Sequence, residues 1–374
     1  MVRETAKVSF EKSQEGEQIM KKIFALLLAL AMVLSLAACG ASQAPATEAP
    51  ATEAPVATEA PATEAPKADP ITLRFAFSEA ETSDTAKIMA TVSANVAERT
   101  EGRVVIECYW SNALGSIADA IEQIALGGNI VSSTSASSWA PYGCDDMTAM
   151  DCMFAFSSTD EIAAFGESEM WANMVAELEE NGGIHMICMN WAAAPRIILS
   201  NKPINSVEDL KGFLVRVPTN TYAAWFNALG ASPVSGIPFA EVYQNIESGV
   251  IEGAEAPAAT LLDYSVQEVA KNAYCSNHTY AAACFGTSTA IWDMISAEDQ
   301  AVITEELTNG GKEFTALCAE MNASYIAELE AAGVVVVEPS AEDVAAMQAA
   351  AAQAAIDLGC RDGVMEEIKA ASNP

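Results

Sequence analysis

Between Ala46 and Pro66 the unit Ala-Thr-Glu-Ala-Pro occurs four times, interrupted once by Val56. Proline at such short, regular intervals excludes a continuous helix, and the segment has almost no apolar bulk to bury. Residues 40–69 therefore read as an extended, disordered tether. At ~3.1 Å per residue, about 30 residues reach at most ~90 Å. The repeat divides the chain. What folds lies after it, in roughly 305 residues from Pro70 onward, enough for two domains with their own cores.

Ahead of the tether, Lys21 and Lys22 precede an apolar run from Ile23 to Ala38 broken only by Ser35. At ~1.5 Å per residue such a run spans ~24 Å, short for a bilayer core of ~30 Å. Residues 20–39 read as an export signal rather than a membrane anchor. The run ends in Leu36-Ala37-Ala38-Cys39-Gly40, which resembles a bacterial lipoprotein box, with Cys39 as the lipid acceptor. An ordinary signal peptide with a chance cysteine is the alternative. Residues 1–19 are polar and charged and precede a better start at Met20, so they read as a mis-assigned start or a long leader. On this reading the chain is exported and held by lipid on the outer face of the cell membrane.

The formal net charge is −33, and removing the five basic and four acidic residues of the leader leaves about −34. Such a surface repels nucleic acid and anionic lipid. Besides Cys39 there are eight cysteines, Cys108, Cys144, Cys152, Cys188, Cys275, Cys284, Cys318 and Cys360. None has Cys-x-x-Cys spacing, which argues against a zinc site, and no other metal or cofactor is expected. Most lie among apolar neighbours and read as buried thiols. Cys144 and Cys152 are close enough in sequence to consider as an oxidised pair.

The globular part alternates strand and helix. Ile71 to Phe77 is a strand; Thr85 to Thr100 is a helix with Ile88, Val92 and Val96 on one face; Val104 to Trp110 is a strand. Ser116 opens a helix with Ile117, Ile121 and Ile124 inward, and Ile130 to Thr134 follows as a strand. A second unit begins near Trp191, with strands at 197–200 and 213–217, and helices at 222–229 and 241–248. A long helix covers 297–332, a strand 334–337, and the Ala-rich tail from Ala341 is helical. The rhythm predicts an α/β fold with mainly parallel sheets. Trp110, Trp171 and Trp225 fall in periodic apolar runs and read as core.

Two arginines stand out in this acidic background. Between Trp191 and Tyr264 the only basic residues are Arg196, Lys202, Lys211 and Arg216. Arginine presents a planar fork of donors that matches a carboxylate and stays charged. Arg216 lies at the carboxyl end of its strand, where ligands of open α/β sheets sit, and a helix starts near Thr219. A surface arginine paired with a neighbouring carboxylate is the alternative. With only His185 and His278, and no Ser-His-Asp, Cys-His or phosphate-loop arrangement, the chain does not read as an enzyme.

The stretches Thr100-Glu-Gly-Arg-Val-Val-Ile106, Asp209-Leu-Lys-Gly-Phe-Leu-Val-Arg-Val-Pro218, Leu229-Gly-Ala-Ser-Pro233, Pro238-Phe-Ala-Glu-Val-Tyr243 and Gly249-Val-Ile-Glu-Gly253 resemble the solute-binding proteins of tripartite ATP-independent periplasmic (TRAP) transporters, DctP type. The resemblance covers nearly all of Ile71 to about Val337. It implies a two-domain clamshell like that of periplasmic binding proteins, with more than one crossover and a long helix spanning both domains. It places domain I at 70–193 plus 282–321 and domain II at 194–281 plus 322–374. It implies delivery of a small organic acid to membrane transporter subunits; the chain is expected to be a monomer, although its sequence leaves dimerisation open.

By the same resemblance Arg216 is the principal carboxylate-binding residue and Arg196 the second arginine of the pocket. Phe239 packs on the ligand, and Ser78, Ser135 and Trp139 line the pocket. Trp191 is expected in the cleft, with Asn277 and His278 as weaker candidates. One departure concerns Glu252-Gly253-Ala254-Glu255-Ala256-Pro257: many relatives carry Asn where Ala256 stands. Glu255 beside it is a candidate for a cationic or hydroxyl group of the ligand, or else a structural carboxylate. A sensory module presenting its ligand to a receptor, or a binding protein of an ABC transporter, would carry the same features.

Overall fold

The structure, a computed structural model, describes residues 69–373. The expectations for the start, the export signal, Cys39 and the tether through Ala68 lie outside the described residues. No described helix is long and apolar enough to cross a membrane.

The chain begins with strand β1 (Ile71–Ala76), helix α1 (Asp84–Arg99) and β2 (Val104–Tyr109). Next come α2 (Ile117–Ala125) and β3 (Val131–Ser135). Ser116 and Asp119 close a capping box at the start of α2, so a local sequence signal fixes that boundary. A run of short 3-10 turns, including Asp145–Asp151, leads to α3 (Thr159–Gly166), α4 (Glu169–Gly182) and β4 (Ile184–Ala192).

The chain then crosses to β5 (Arg196–Ser200), β6 (Leu214–Arg216), α5 (Asn220–Ala228) and β7 (Ser232–Val234). It continues through α6 (Val242–Glu247), β8 (Gly253–Pro257), α7 (Ala258–Asp263) and β9 (Asn272–Tyr274). A second crossing gives β10 (Ala282–Ser288), followed by α8 (Thr289–Trp292) and the 35-residue α9 (Ala297–Ala331). The chain ends with β11 (Val335–Val337), α10 (Ala341–Asp357) and α11 (Val364–Ala371).

Two sheets result, one per lobe. The first has strand order β2-β1-β3-β10-β4 and the second β11-β9-β5-β8-β6-β7. Both are mainly parallel, as expected, except for one reversed strand in each, β10 in the first and β5 in the second. The reason is the crossing. β10 enters the first lobe from the second and runs away from the junction. Its neighbours β3 and β4 run toward it, so β10 pairs antiparallel with each. β5 likewise pairs antiparallel with β8 and β9.

α9 spans both lobes. Its first half packs on β4 and α1, its second half on α7 and β11. Ion pairs from Arg99 at the end of α1 to Glu306 (2.6 Å) and from Arg103, just before β2, to Asp299 (2.8 Å) hold the first lobe against it. Gly310 and Gly311 occupy mid-helix positions where glycine costs about 1 kcal/mol against alanine. A Cβ at Gly310 would fall 2.9 Å from the Trp191 ring, and one at Gly311 2.5 Å from Asn190 Oδ1. The close approach of β4 accounts for both. Trp191 donates from Nε1 to the Leu307 carbonyl at 2.9 Å, which seals this contact.

α10 packs on α5 in the second lobe, with Trp225 Nε1 donating to the Met347 carbonyl at 3.0 Å. The chain then returns. Val364 and Ile368 of α11 bury into the first lobe's core, and Lys369 pairs with Glu161 at 2.6 Å. Arg361 pairs with Asp146 at 2.8 Å. The expected placing of 322–374 wholly in the second domain therefore fails for this last segment. Trp171 and Trp225 are buried, while Trp110 is half-buried and stacked on Phe77 at 4.4 Å.

All eight described cysteines are free thiols, five of them buried. Cys144 and Cys152 flank the turn Asp145–Asp151 and are not joined. Cys152 instead lies beside Cys360, and Cys144 beside Glu177. Burial pushes the Cys144, Cys188 and Cys275 thiols up to about 12, so they stay protonated and behave as small apolar side chains.

Candidate ligand-binding cleft

Two crossing segments run side by side between the lobes. The Ala193 amide donates to the Ala281 carbonyl at 2.8 Å and the Arg196 amide to the Thr279 carbonyl at 3.3 Å. From the first lobe, the Phe154 amide donates to the His278 carbonyl at 2.8 Å. Both arginines lie at this edge of the second sheet. Arg196 opens β5 and pairs with Pro257, while Arg216 ends β6 and pairs with Ala254.

Strand alternation separates their side chains. Arg196 is two residues before Ile198, which shares a core cluster with Val215 and Trp225. Arg216 follows Val215 directly and so projects from the opposite face, the face of Ala254, Val242 and Phe239.

Arg196 makes a two-pronged contact with Glu255, Nε to Oε2 at 2.6 Å and Nη2 to Oε1 at 2.9 Å. Glu255 is wholly buried. Its Oε2 also accepts from His278 Nε2 at 3.3 Å, while His278 Nδ1 accepts from the Ser276 hydroxyl at 2.7 Å. Those partners fit a neutral imidazole with its proton on Nε2. Burial pushes His278 below its usual range, although the Glu255 carboxylate pulls the other way. Burial alone would raise Glu255; hydrogen bonds from His278 and Arg196, with the Arg196 charge, hold it below the usual carboxylate range. The Trp225 ring stacks on the imidazole at 4.8 Å, and the Arg196 guanidinium sits 5.1 Å over the Tyr222 ring.

Arg216 is arranged differently. Its Nε donates to the Ile237 carbonyl at 3.0 Å and its guanidinium lies 5.1 Å over the Phe239 ring. The side chain is half-buried, and no described carboxylate lies within ion-pair distance of it. Desolvation lowers its pKa; the farther Glu255 carboxylate opposes this and Arg196 adds to it. The cation thus keeps two Nη groups for an incoming acceptor, over a fixed aromatic face.

A cavity of about 220 Å³ lies between the lobes beside this edge. The first lobe lines it with Ser135, Ser137, Asp151 and Phe156, the second with Thr219, Thr221 and Tyr222, and the crossing with Thr279 and Tyr280. Neither arginine lines the cavity itself. Arg196 meets it through Tyr222, and Thr219 follows Arg216 by three residues.

Known proteins share this fold. The profile of the bacterial extracellular solute-binding protein family 7 (DctP) matches residues 75–357. The chain belongs to that family. It is a TRAP solute-binding protein of the DctP type. The C4-dicarboxylate-binding periplasmic protein DctP of Rhodobacter capsulatus is 24% identical over 267 residues, 71% of this chain and 79% of that protein. An apo, open TRAP periplasmic solute-binding protein from Escherichia fergusonii superposes with a TM-score of 0.73 at 19% identity, over 80% of this chain and 99% of the other. A TRAP solute-binding protein from Ochrobacterium anthropi with bound L-fuconate gives 0.64 at 26% identity, over 81% and 100%.

Within this solute-binding protein the expected site residues separate into groups. Ser135 lines the cavity, and Phe239 lies under Arg216 with Tyr264 at its edge. Ser78 is exposed and bonds its neighbour Glu79 at 3.2 Å. Asn277 is half-buried in the crossing, in a left-handed backbone conformation (φ 45°). Trp139 and Trp191 are corrections: both are core residues, 0% and 3% exposed. Trp139 packs over Gly286, and Trp191 between Phe285 and Phe314.

Of the two readings of Glu255, the geometry favours the structural carboxylate, since its acceptor atoms are occupied by Arg196 and His278 and it has no surface for a ligand. Ala256 sits in the apolar cluster of the second lobe. Asp151 was not singled out from sequence. Its signal was present, because it is the one charge in Ala149-Met-Asp-Cys-Met-Phe-Ala-Phe156.

Proposed function

We propose that this protein binds a small organic acid outside the cytoplasm and hands it to the membrane subunits of a TRAP-type secondary transporter. The observation that carries the reading is Arg216: a half-buried guanidinium braced by the Ile237 carbonyl and the Phe239 ring, with no carboxylate of its own among the described residues. A ligand carboxylate would complete it. The relatives support the same class, since one is named for C4-dicarboxylates and another holds L-fuconate. A ligand touching both lobes favours the state in which they are closed around it. The mechanism needs no covalent chemistry, and the chain acts as a binding protein rather than an enzyme. Lipid on Cys39 and the proline-spaced tether would keep the monomeric domain near its membrane partner.

Thermal-shift screening against organic acids, followed by calorimetry, tests this. Arg216→Ala should weaken the best ligand ten- to a hundredfold, the loss of about one charged hydrogen-bond pair, with the fold intact. Unchanged affinity would overturn the role of Arg216.

A further inference from the structure

The cavity between the lobes holds a carboxylate that an anion-binding site does not need. Asp151 ends the turn Asp145–Asp151 and lines the cavity alongside Ser135, Ser137, Tyr222 and Thr279. One of its oxygens, Oδ2, accepts from the Ser137 amide at 2.9 Å, and the Ser135 and Ser137 hydroxyls and the Ala136 amide also donate toward the carboxylate. No described lysine or arginine pairs with it. Those neutral donors hold the carboxylate in place, but no cation compensates its charge in the cavity wall.

The charges around the cleft sharpen the point. Arg196 and Glu255 neutralise one another. That leaves Arg216, beside the cavity, as a positive group without a carboxylate, and Asp151, in the cavity wall, as a negative group without a cation. A ligand with a carboxylate at each end would satisfy the first and be repelled by the second. A ligand with a carboxylate at one end and a hydrogen-bond donor at the other would satisfy both.

We propose that Asp151 is a specificity-determining residue: it accepts a hydrogen bond from a hydroxyl or ammonium group of the ligand and rejects dicarboxylates. The proposal rests on the carboxylate reading of Arg216 given above. The rest of the lining suits a hydroxylated ligand, because serine, threonine and tyrosine hydroxyls both donate and accept. Burial pushes the Asp151 carboxyl up, against hydrogen bonds from Ser137 and Ser135, so a donor from the ligand would recover hydration that the group has lost.

The test uses the full chain and matched probes: 4-hydroxybutyrate, 4-aminobutyrate and succinate, with D-gluconate and D-glucarate as a longer pair. Calorimetry should rank the hydroxy or amino acid at least tenfold above the dicarboxylate of equal length, and the hydroxy and amino arms identify which donor is read. Asp151→Asn keeps the acceptor for the Ser137 amide but removes the charge. It should narrow that preference at least tenfold, chiefly by admitting the dicarboxylate, with the circular dichroism spectrum unchanged. A parent chain that prefers dicarboxylates, or a preference that Asp151→Asn leaves alone, overturns the role of Asp151 while the Arg216 reading stands. Binding of none of the probes, by either protein, would count against the Arg216 reading and remove the basis of this one.

Discussion

Arg196 and Arg216 emerge at one edge of one sheet, yet their surroundings are opposite in kind. Around Arg196 every charge is answered: Glu255 takes both prongs of the guanidinium, His278 takes the remaining side of Glu255, and Ser276 takes the far nitrogen of His278. Around Arg216 there is one carbonyl and one aromatic ring. The first neighbourhood is a buried network that holds β5, β8 and the crossing segment together. The second is open. Number of arginines is thus a poor guide to the number of anion sites. What separates a structural arginine from a binding one is whether the protein already supplies the counter-charge.

The comparison breaks first at Glu255. Glu255→Ala would leave the half-buried Arg196 without its partner and the buried His278 without an acceptor. Removing one member of a buried pair costs about 3–5 kcal/mol, so a large fall in the midpoint of chemical denaturation is expected. Arg196→Ala should cost a similar amount by stranding Glu255. The double variant should lose much less than the sum of the two, because neither partner is then left alone. Additive losses would mean that Arg196 and Glu255 act independently, and the contrast drawn here would fall.

At Arg216 the expectation reverses. Arg216→Ala should change stability by about 1 kcal/mol or less, the value of one net hydrogen bond, while affinity falls ten- to a hundredfold. Arg216→Lys is the milder change. It retains the charge but loses the fork and its place over the Phe239 ring, so affinity should recover only in part. Calorimetry at fixed ionic strength reads both. Near-native affinity in the lysine variant would show that the contact is a point charge rather than a paired one.

Sequence alone reaches part of this contrast. Arg216 is legible because Phe213, Val215 and Val217 alternate around it and Pro218 ends the strand, so both its face and its position follow from local pattern. The capping box of Ser116 and Asp119 fixes a helix start in the same local way. The Arg196–Glu255 pair is not legible, since it depends on β5 and β8 being neighbours with Ile198 opposite Glu255, a register set by residues 57 apart in the chain. Trp191 fails for a related reason: its closeness to Arg196 in sequence suggests the cleft, but the face it presents is decided by α9, over a hundred residues later. Asp151 lies in a 3-10 turn, where no helical or strand periodicity reports a direction. Its isolation among apolar residues was the one usable sign.

The smallest effect expected is on pH, and it isolates the His278 end of the network. Burial depresses the folded-state pKa of His278 below its ordinary ~6.5. Below that value the unfolded chain takes up a proton that the folded chain refuses, so stability is full above about pH 6.5 and declines as pH falls toward the depressed folded value. Glu255 is also depressed, but its contribution is present above ~4.5 and is lost only at lower pH, so the two windows separate. Denaturation midpoints between pH 7.5 and 5.5 should therefore fall with acidification, and His278→Gln should flatten the slope even where it lowers stability overall. Ligand affinity at Arg216 should change little across the same interval, because neither arginine titrates there. A slope that survives His278→Gln would move the proton uptake elsewhere and detach the imidazole from the network that distinguishes Arg196 from Arg216.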